Sequence, residues 1–112
     1  MTNHLIVVHT TYRQLKLYEG FQLVQYFPIA VGKEETPTPH GRYIIINKTL
    51  YPGDIYGSRW LGLSIPDYGI HGTNSPSSIG QAISKGCIRM YNHHIERLYN
   101  FVQIGTPVII QY

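Results

Sequence analysis

Residues 68–90 read YGIHGTNSPSSIGQAISKGCIRM, a stretch that holds one histidine and the only cysteine of the chain. His71 stands between Gly69-Ile70 and Gly72, the pattern of a short strand running out into a glycine turn, so its ring is expected to emerge at a strand end with little cover. In Ser84-Lys85-Gly86-Cys87-Ile88-Arg89-Met90, Gly86 leaves the backbone beside the sulfur open to the approach of a substrate carbonyl, and the apolar residues after it resume a strand. Between the two, Ser75-Pro76 or Ser78 with Gln81 offers helix-start signals, followed by Ile79, Ala82 and Ile83 as an apolar face. One short helix is expected to span the gap.

A free thiol has a pKa of roughly 8.5, and a nearby imidazole and backbone amides lower it. A cysteine therefore needs such a partner to be a reliable nucleophile, and His71 is the candidate. The peptide N–H groups around Gly86, Cys87 and Ile88 are expected to face the oxygen that turns negative when sulfur attacks an acyl carbon, forming an oxyanion hole. The plainer reading of a lone cysteine is a small buried apolar residue, but the flanking glycine and the upstream histidine turn favour the reactive one. Arg89, two residues beyond the sulfur, shares its side if the segment is extended, and a guanidinium grips a carboxylate at two points. Arg89 is assigned to substrate binding, against the alternative of a surface ion pair.

The segment HGTNSPSSIGQAISKGCIRM resembles the signature of the YkuD-type L,D-transpeptidase catalytic domain, which joins an HG turn to a [ST]-x-G-C-[IV]-R segment. The likeness extends to the opening strand and hairpin, to Thr36-Pro37-Thr38-Pro39-His40-Gly41 with Arg42-Tyr43-Ile44-Ile45-Ile46, and to Trp60-Leu61-Gly62-Leu63-Ser64, covering nearly the whole chain. It implies a peptidoglycan enzyme in which the Cys87 thiolate attacks the third-residue carbonyl of a donor stem tetrapeptide. The terminal D-alanine leaves, and an amine of a neighbouring stem resolves the thioester into a 3→3 crosslink. His71 is then the proton carrier, oriented by a backbone carbonyl, that of Gly72, with Asp67 a lesser possibility. The resemblance also puts the region around Tyr51, Tyr56 and Trp60 over the cleft, where the alternative is aromatic packing at a sheet edge. Gly86 and Ser84 are further contacts, with Ser84 also suited to a hydrogen bond within its turn, and Thr73 and Ser78 are as readily structural. Relatives often carry a histidine where this chain has Lys85, which is therefore left out of the catalytic set. Carbapenem-type β-lactams are the inhibitors implied.

Two rival readings come with it. An L,D-carboxypeptidase would use water in place of the acceptor amine, while a papain-like hydrolase would carry its cysteine before its histidine, the reverse of the order here. A non-catalytic wall-binding module would have no need of both His71 and Cys87.

At 112 residues the chain has the size of one domain, read over 1–112 and expected to act as a monomer. Charged residues make up 13%, against roughly 25% in ordinary domains, and ten tyrosines raise the strand-forming content. The nine Lys and Arg residues are scattered, so the net charge of +3 describes no nucleic-acid stripe, though it suits an anionic wall polymer. The six histidines show neither HExxH nor CxxC spacing with the cysteine, so no metal and no cofactor is expected. Met1-Thr2-Asn3-His4 followed by Leu5-Ile6-Val7-Val8 lacks the layout of an export leader, and no stretch is long and apolar enough to span a membrane. The resemblance implies work outside the cytoplasm, so localisation is left unassigned.

Along the chain, Leu5–Val8 reads as a buried strand, and Gln14–Tyr18 and Phe21–Phe27 as a hairpin about a Glu19-Gly20 turn. The second strand is expected to continue through Pro28–Gly32 into an exposed loop containing Pro37 and Pro39. Arg42–Ile46 is a strand and Asn47–Arg59 a long loop. Asn92 is expected to cap a helix in which Ile95, Leu98, Tyr99 and Val102 face inward and His93, His94 and Arg97 lie at the surface; Val108–Tyr112 closes the sheet from inside it. The fold class is mainly β, a sandwich or open barrel with two short helices.

Overall fold

The computed structural model describes residues 3–112; the leader reading that rests on Met1 and Thr2 lies outside them. The described residues form strands β1 (His4–His9), β2 (Gln14–Glu19), β3 (Gln22–Pro28), β4 (Val31–Gly32), β5 (Gly41–Leu50), β6 (Arg59–Leu63), β7 (Gly69–His71), β8 (Ala82–Ser84), β9 (Ile88–Arg89) and β10 (Pro107–Gln111), with one α-helix, α1 (Asn92–Phe101). Two single 3₁₀ turns, Asp54–Tyr56 and Pro76–Ser78, complete them. Eight strands make one sheet in the order β3-β2-β1-β10-β5-β6-β7-β9, and β4 and β8 pair beside it.

Each strand's place follows from its residues. In β1, Ile6, Val7 and Val8 are all buried, as befits a strand flanked on both edges, by β2 and parallel β10. In β2, Leu15 and Leu17 point to the core while Gln14 and Lys16 do not. The hairpin turn is Gly20-Phe21, closed by Glu19 opposite Gln22, one residue later than expected. Gly20 takes φ +60 at the first turn position, the geometry that suits the right-handed twist of a hairpin.

The second hairpin strand stops at Pro28, and Val31–Gly32 instead pairs in parallel with β8. The loop after it packs more closely than expected: Gly32 N–H donates to Thr38 Oγ1 (2.9 Å), and Thr38 is buried. Strand β5 runs ten residues, twice the expected length, because a bulge between Ile45 and Asn47 bends it. Its first half pairs with β10 and its second with β6, which turns the sheet from one layer into the next. At the far end Ala30 and Arg89 exchange backbone hydrogen bonds (2.9 and 3.0 Å), so β9 meets the chain leaving β3. The result is a curled, open barrel around Ile6, Leu15, Leu17, Ile45, Leu61, Ile70, Ile88 and Met90.

Helix α1 packs against β6 and β7 through Ile95 and Leu98, with Val102 buried just beyond its end. Its C-terminus is held from β5: Lys48 Nζ donates to the carbonyls of Tyr99 and Val102 (2.8 Å each) and lies 4.1 Å from the Tyr99 ring centroid. Burial pushes the Lys48 pKa below its ordinary value. A cation on otherwise unpaired helix-end carbonyls is favourable, so Lys48→Met is expected to cost about 1–2 kcal/mol. The urea unfolding midpoint measures this, and an unchanged midpoint would count against the cap.

The helix expected between His71 and Cys87 is absent. The 3₁₀ turn at Pro76–Ser78 is followed by Gly80 at φ +91, and the backbone is then claimed by a distant partner. Gly80 N–H donates to Ile29 O (2.9 Å), Val31 N–H donates to Gln81 O (3.1 Å), and Ala82–Ser84 becomes β8. Ile83 is exposed, so no continuous apolar face exists to stabilise a helix.

Candidate active site

Strands β6, β7 and β9 lie side by side in the register Trp60↔His71↔Arg89. Ile70 and Ile88, one residue back, point into the core, so His71 and Arg89 share the opposite face, and Cys87, two residues before Arg89, shares it too. All three line one cleft of about 420 Å³, together with Ile55, Tyr56, Asp67, Tyr68, Ser84 and Lys85.

His71 is 3% exposed, although an open ring was expected. Its Nδ1–H donates to the carbonyl of Gly72, and because a carbonyl only accepts, this bond fixes the tautomer. Nε2 is left with the lone pair. Burial pulls the His71 pKa down to about 4, the Arg89 cation adds to the fall, and the Gly72 bond opposes it. At neutral pH the ring is therefore a neutral base.

Cys87 is held by a turn built within the motif. Ser84 Oγ–H donates to the Cys87 carbonyl (2.6 Å) and accepts from Gly86 N–H (3.0 Å), while Thr36 Oγ1 donates to the Ser84 carbonyl (2.9 Å). The Ser84 hydroxyl is thus used inside the turn. Gly86 sits at φ +124, and a Cβ there would come within 2.5 Å of the Tyr68 ring, so the aromatic fills the space expected to stay open. Of the three N–H groups considered for an oxyanion hole, that of Gly86 is bound to Ser84, and Ile88 lies in the β7–β9 ladder. Cys87 N–H is the one outside both commitments.

The thiol is half-buried and directed at the Asp67 carbonyl (3.7 Å). Burial pushes its pKa up; a Gly69 backbone bond and Arg89 oppose that, and the Asp67 carboxylate reinforces it. Cysteine up and histidine down describe a neutral thiol and a neutral imidazole lining the same cleft, not an ion pair. Asp67 accordingly sits by the sulfur, and the Nδ1 partner is Gly72.

The YkuD L,D-transpeptidase catalytic-domain family matches residues 3–110. The chain belongs to that family. A Bacillus licheniformis protein carrying the name L,D-transpeptidase YkuD is 51% identical over 105 residues, which are 94% of this chain and 64% of the relative. A Bacillus subtilis protein of the same name is 48% identical over the same shares. The chain thus spans somewhat under two thirds of these relatives. The crystal structure of L,D-transpeptidase 3 from Mycobacterium tuberculosis in complex with a faropenem-derived adduct superposes with a TM-score of 0.88 at 20% identity, covering 99% of this chain and 61% of that one. At that identity the likeness speaks to the fold.

Other site candidates of this YkuD-family chain fall in different places. The segment expected to be loop from Asn47 is strand as far as Leu50; the remaining loop, 51–58, folds back so that Tyr56 meets the His71 ring edge-on at 5.1 Å. Tyr51 turns away, 72% exposed, with the Arg59 guanidinium 4.7 Å from its ring. Trp60 stacks on His71 (5.6 Å, 16°) and lines a neighbouring hollow, not the cysteine cleft. Among the described residues no group of three or more His, Cys, Asp or Glu is placed to hold a metal ion, and no helix is long and apolar enough to cross a membrane.

Asn92 was expected only as a helix cap. Tyr91 is the capping position, and the Asn92 amide works elsewhere: Oδ1 accepts from Ser58 N–H and Thr73 N–H, and Nδ2 donates to Thr73 O, all at 3.1 Å. It ties the 51–58 loop to the His71-Gly72-Thr73 turn. Gly57 and Gly72 admit it, since a Cβ on either would come within 2.2 Å of Oδ1. Asn92→Ala is expected to cost about 1–2 kcal/mol and, by loosening the carbonyl that orients His71, to slow acylation of Cys87 about 10-fold. Melting and single-turnover acylation check the two effects; unchanged acylation would make the staple purely structural.

Proposed function

We propose that this chain is a single catalytic domain that crosslinks peptidoglycan as a cysteine-dependent L,D-transpeptidase. The observation that carries the reading is the convergence of Cys87, His71 and Arg89 on one cleft within a YkuD-family fold. In the first half-reaction Cys87 Sγ forms a bond to the third-residue carbonyl carbon of a donor stem tetrapeptide as its proton passes to His71 Nε2. The resulting oxyanion is met by Cys87 N–H. The carbon–nitrogen bond to the terminal D-alanine then breaks, and the imidazolium returns its proton to the departing amine. In the second half-reaction an amine of a neighbouring stem attacks the thioester, gives up a proton through His71, and releases the thiol with a 3→3 link formed.

The cleft's charge suits these substrates. Arg89 and Lys85 stand on its cationic side and would hold stem-peptide carboxylates, Arg89 by a two-point contact. Tyr56 from the 51–58 loop closes over the reacting groups. Acylation of Cys87 by carbapenems belongs to the same reading, because a strained lactam carbonyl presents the same electrophile to the same sulfur.

Incubation with purified muropeptide tetrapeptides, followed by mass analysis, tests the proposal. Crosslinked dimers with free D-alanine are the expected products. Trimmed tripeptides without dimers would make water the acceptor and the protein an L,D-carboxypeptidase. Unaltered tetrapeptides would overturn both and leave a binding module.

A further inference from the structure

Gly62 and Gly69 face each other across β6 and β7, and neither has the positive φ that calls for glycine. Each is glycine for room. A Cβ on Gly62 would come within 2.4 Å of Asn47 Oδ1, and one on Gly69 within 2.6 Å of Trp60 Cη2 and Cζ2. Two bare backbones thus clear a path on which one side chain lies over each. Asn47 stands opposite Gly62 on β5 and accepts the Trp60 Nε1–H bond through Oδ1 (3.1 Å). The indole, fixed at that end, lies over Gly69 and against the imidazole, with ring planes 16° apart. Tyr56 meets both rings edge-on, at 5.3 Å from Trp60 and 5.1 Å from His71.

We infer that Trp60, anchored by Asn47 and admitted by Gly62 and Gly69, is a positioning residue that holds the His71 imidazole flat and shielded from water. The inference rests on His71 being the proton carrier of the proposed reaction, and it differs from a role for Trp60 in contacting substrate. A flat support restrains rotation about the bond that the Gly72 hydrogen bond alone leaves free to rock. Shielding of one face adds to the burial that keeps the ring neutral. The other groups facing His71 are Tyr56 from the 51–58 loop and Arg89 and Cys87 from the β9 side, with Asp67 and Lys85 lining the same cleft.

Trp60 is the only tryptophan, so its fluorescence reports on the imidazole that touches it. An imidazolium in contact quenches indole emission more than a neutral ring does. Emission is expected to fall with a midpoint well below the ordinary histidine value of roughly 6.5, and the step is expected to vanish in His71→Gln. Asn47→Leu is expected to raise the midpoint by releasing the indole. Far-UV circular dichroism at each pH separates quenching from acid unfolding. With a donor tetrapeptide, Trp60→Leu is expected to lower kcat about 10- to 100-fold while KM changes less than about 2-fold, and Trp60→Phe, which keeps a stacking ring, to recover most of the loss. The absence of any His71-dependent quench in the folded wild-type protein would overturn the inference whatever the reaction proves to be. A Trp60→Leu variant with raised KM and intact kcat would overturn it in favour of a substrate contact. The fluorescence arm uses no substrate, so it stands or falls apart from the transpeptidase assignment.

Discussion

Cys87→Ala is expected to abolish acyl-enzyme formation, with donor turnover down by at least about 10³-fold and the fold unaffected. The sulfur is half-buried at the wall of an open cleft, held by a long thiol bond to the Asp67 carbonyl and a Gly69 backbone bond. Its loss leaves no sealed cavity, so the stability change is expected to stay within about 1 kcal/mol. Intact-mass detection of a covalent adduct after exposure to a tetrapeptide donor or a carbapenem reads the first effect, and thermal melting the second. Crosslinked dimers made by a well-folded Cys87→Ala protein would remove Cys87 as the nucleophile. A carbapenem adduct that persisted in that variant would place the acylation on another group.

The second large effect belongs to His71. His71→Gln removes the proposed proton carrier and is expected to slow donor acylation by about 10²- to 10⁴-fold. It is also expected to change how stability depends on pH. The folded pKa of about 4 lies below the ordinary 6.5, so between those values the unfolded chain takes up a proton that the folded chain refuses. The contribution is complete above about pH 6.5 and is lost as pH falls toward 4, up to about 3 kcal/mol for a shift of this size. Denaturant midpoints across that window should fall in the wild type and fall less in His71→Gln. His94, whose pKa burial and the His93 and Arg97 charges also depress, is present in both proteins and cancels in the comparison. Equal slopes would mean that His71 titrates as freely as an exposed histidine.

The same pair of shifts sets the reactivity of the thiol. With Cys87 raised and His71 lowered, alkylation by iodoacetamide should rise only toward and above the ordinary thiol range, near pH 8.5. A thiolate–imidazolium pair would instead keep alkylation rapid down to acidic pH. Burial of both groups favours the neutral case, and in the proposed reaction the proton then moves to Nε2 as sulfur attacks. Arg89 steadies the thiolate once it forms, because its charge favours the ionised sulfur and disfavours the imidazolium.

Much of this chain is legible residue by residue. The alternation of Gln14-Leu15-Lys16-Leu17, the unbroken Ile6-Val7-Val8 and the stripe Ile95-Leu98-Val102 each state their own burial, because the period of a strand or helix is a property of the local backbone. The histidine turn and the Gly-Cys segment likewise mark the two candidates for nucleophile and base, since the types required and their flanking glycines lie within one short stretch. The Arg89 parity argument needed only an extended backbone, and β9 supplies one. Strands β4 and β9 are legible as extended backbone, but two residues each are too few to show which neighbour they would pair with.

What the sequence by itself determined, then, is the mainly-β class, the inward stripe of the last helix and the family to which the chain belongs. Tertiary structure decided the rest, wherever a backbone or side-chain group could bond to more than one partner. Residues 75–83 carry helix signals, yet Ile29 and Val31 arrive from far along the chain and take the backbone hydrogen bonds of Gly80 and Gln81, beside a strand pair. Asn92 has the chemistry of a helix cap, yet Ser58 and Thr73 come within 3.1 Å and claim its amide. Trp60 reads equally as a cleft aromatic or as packing at a sheet edge until Asn47 and the bare backbone at Gly69 lay it over His71. His71 itself is an ordinary strand-end histidine in sequence; only the sheet's curl and the two rings packed on it remove the water that would otherwise let it ionise near neutral pH.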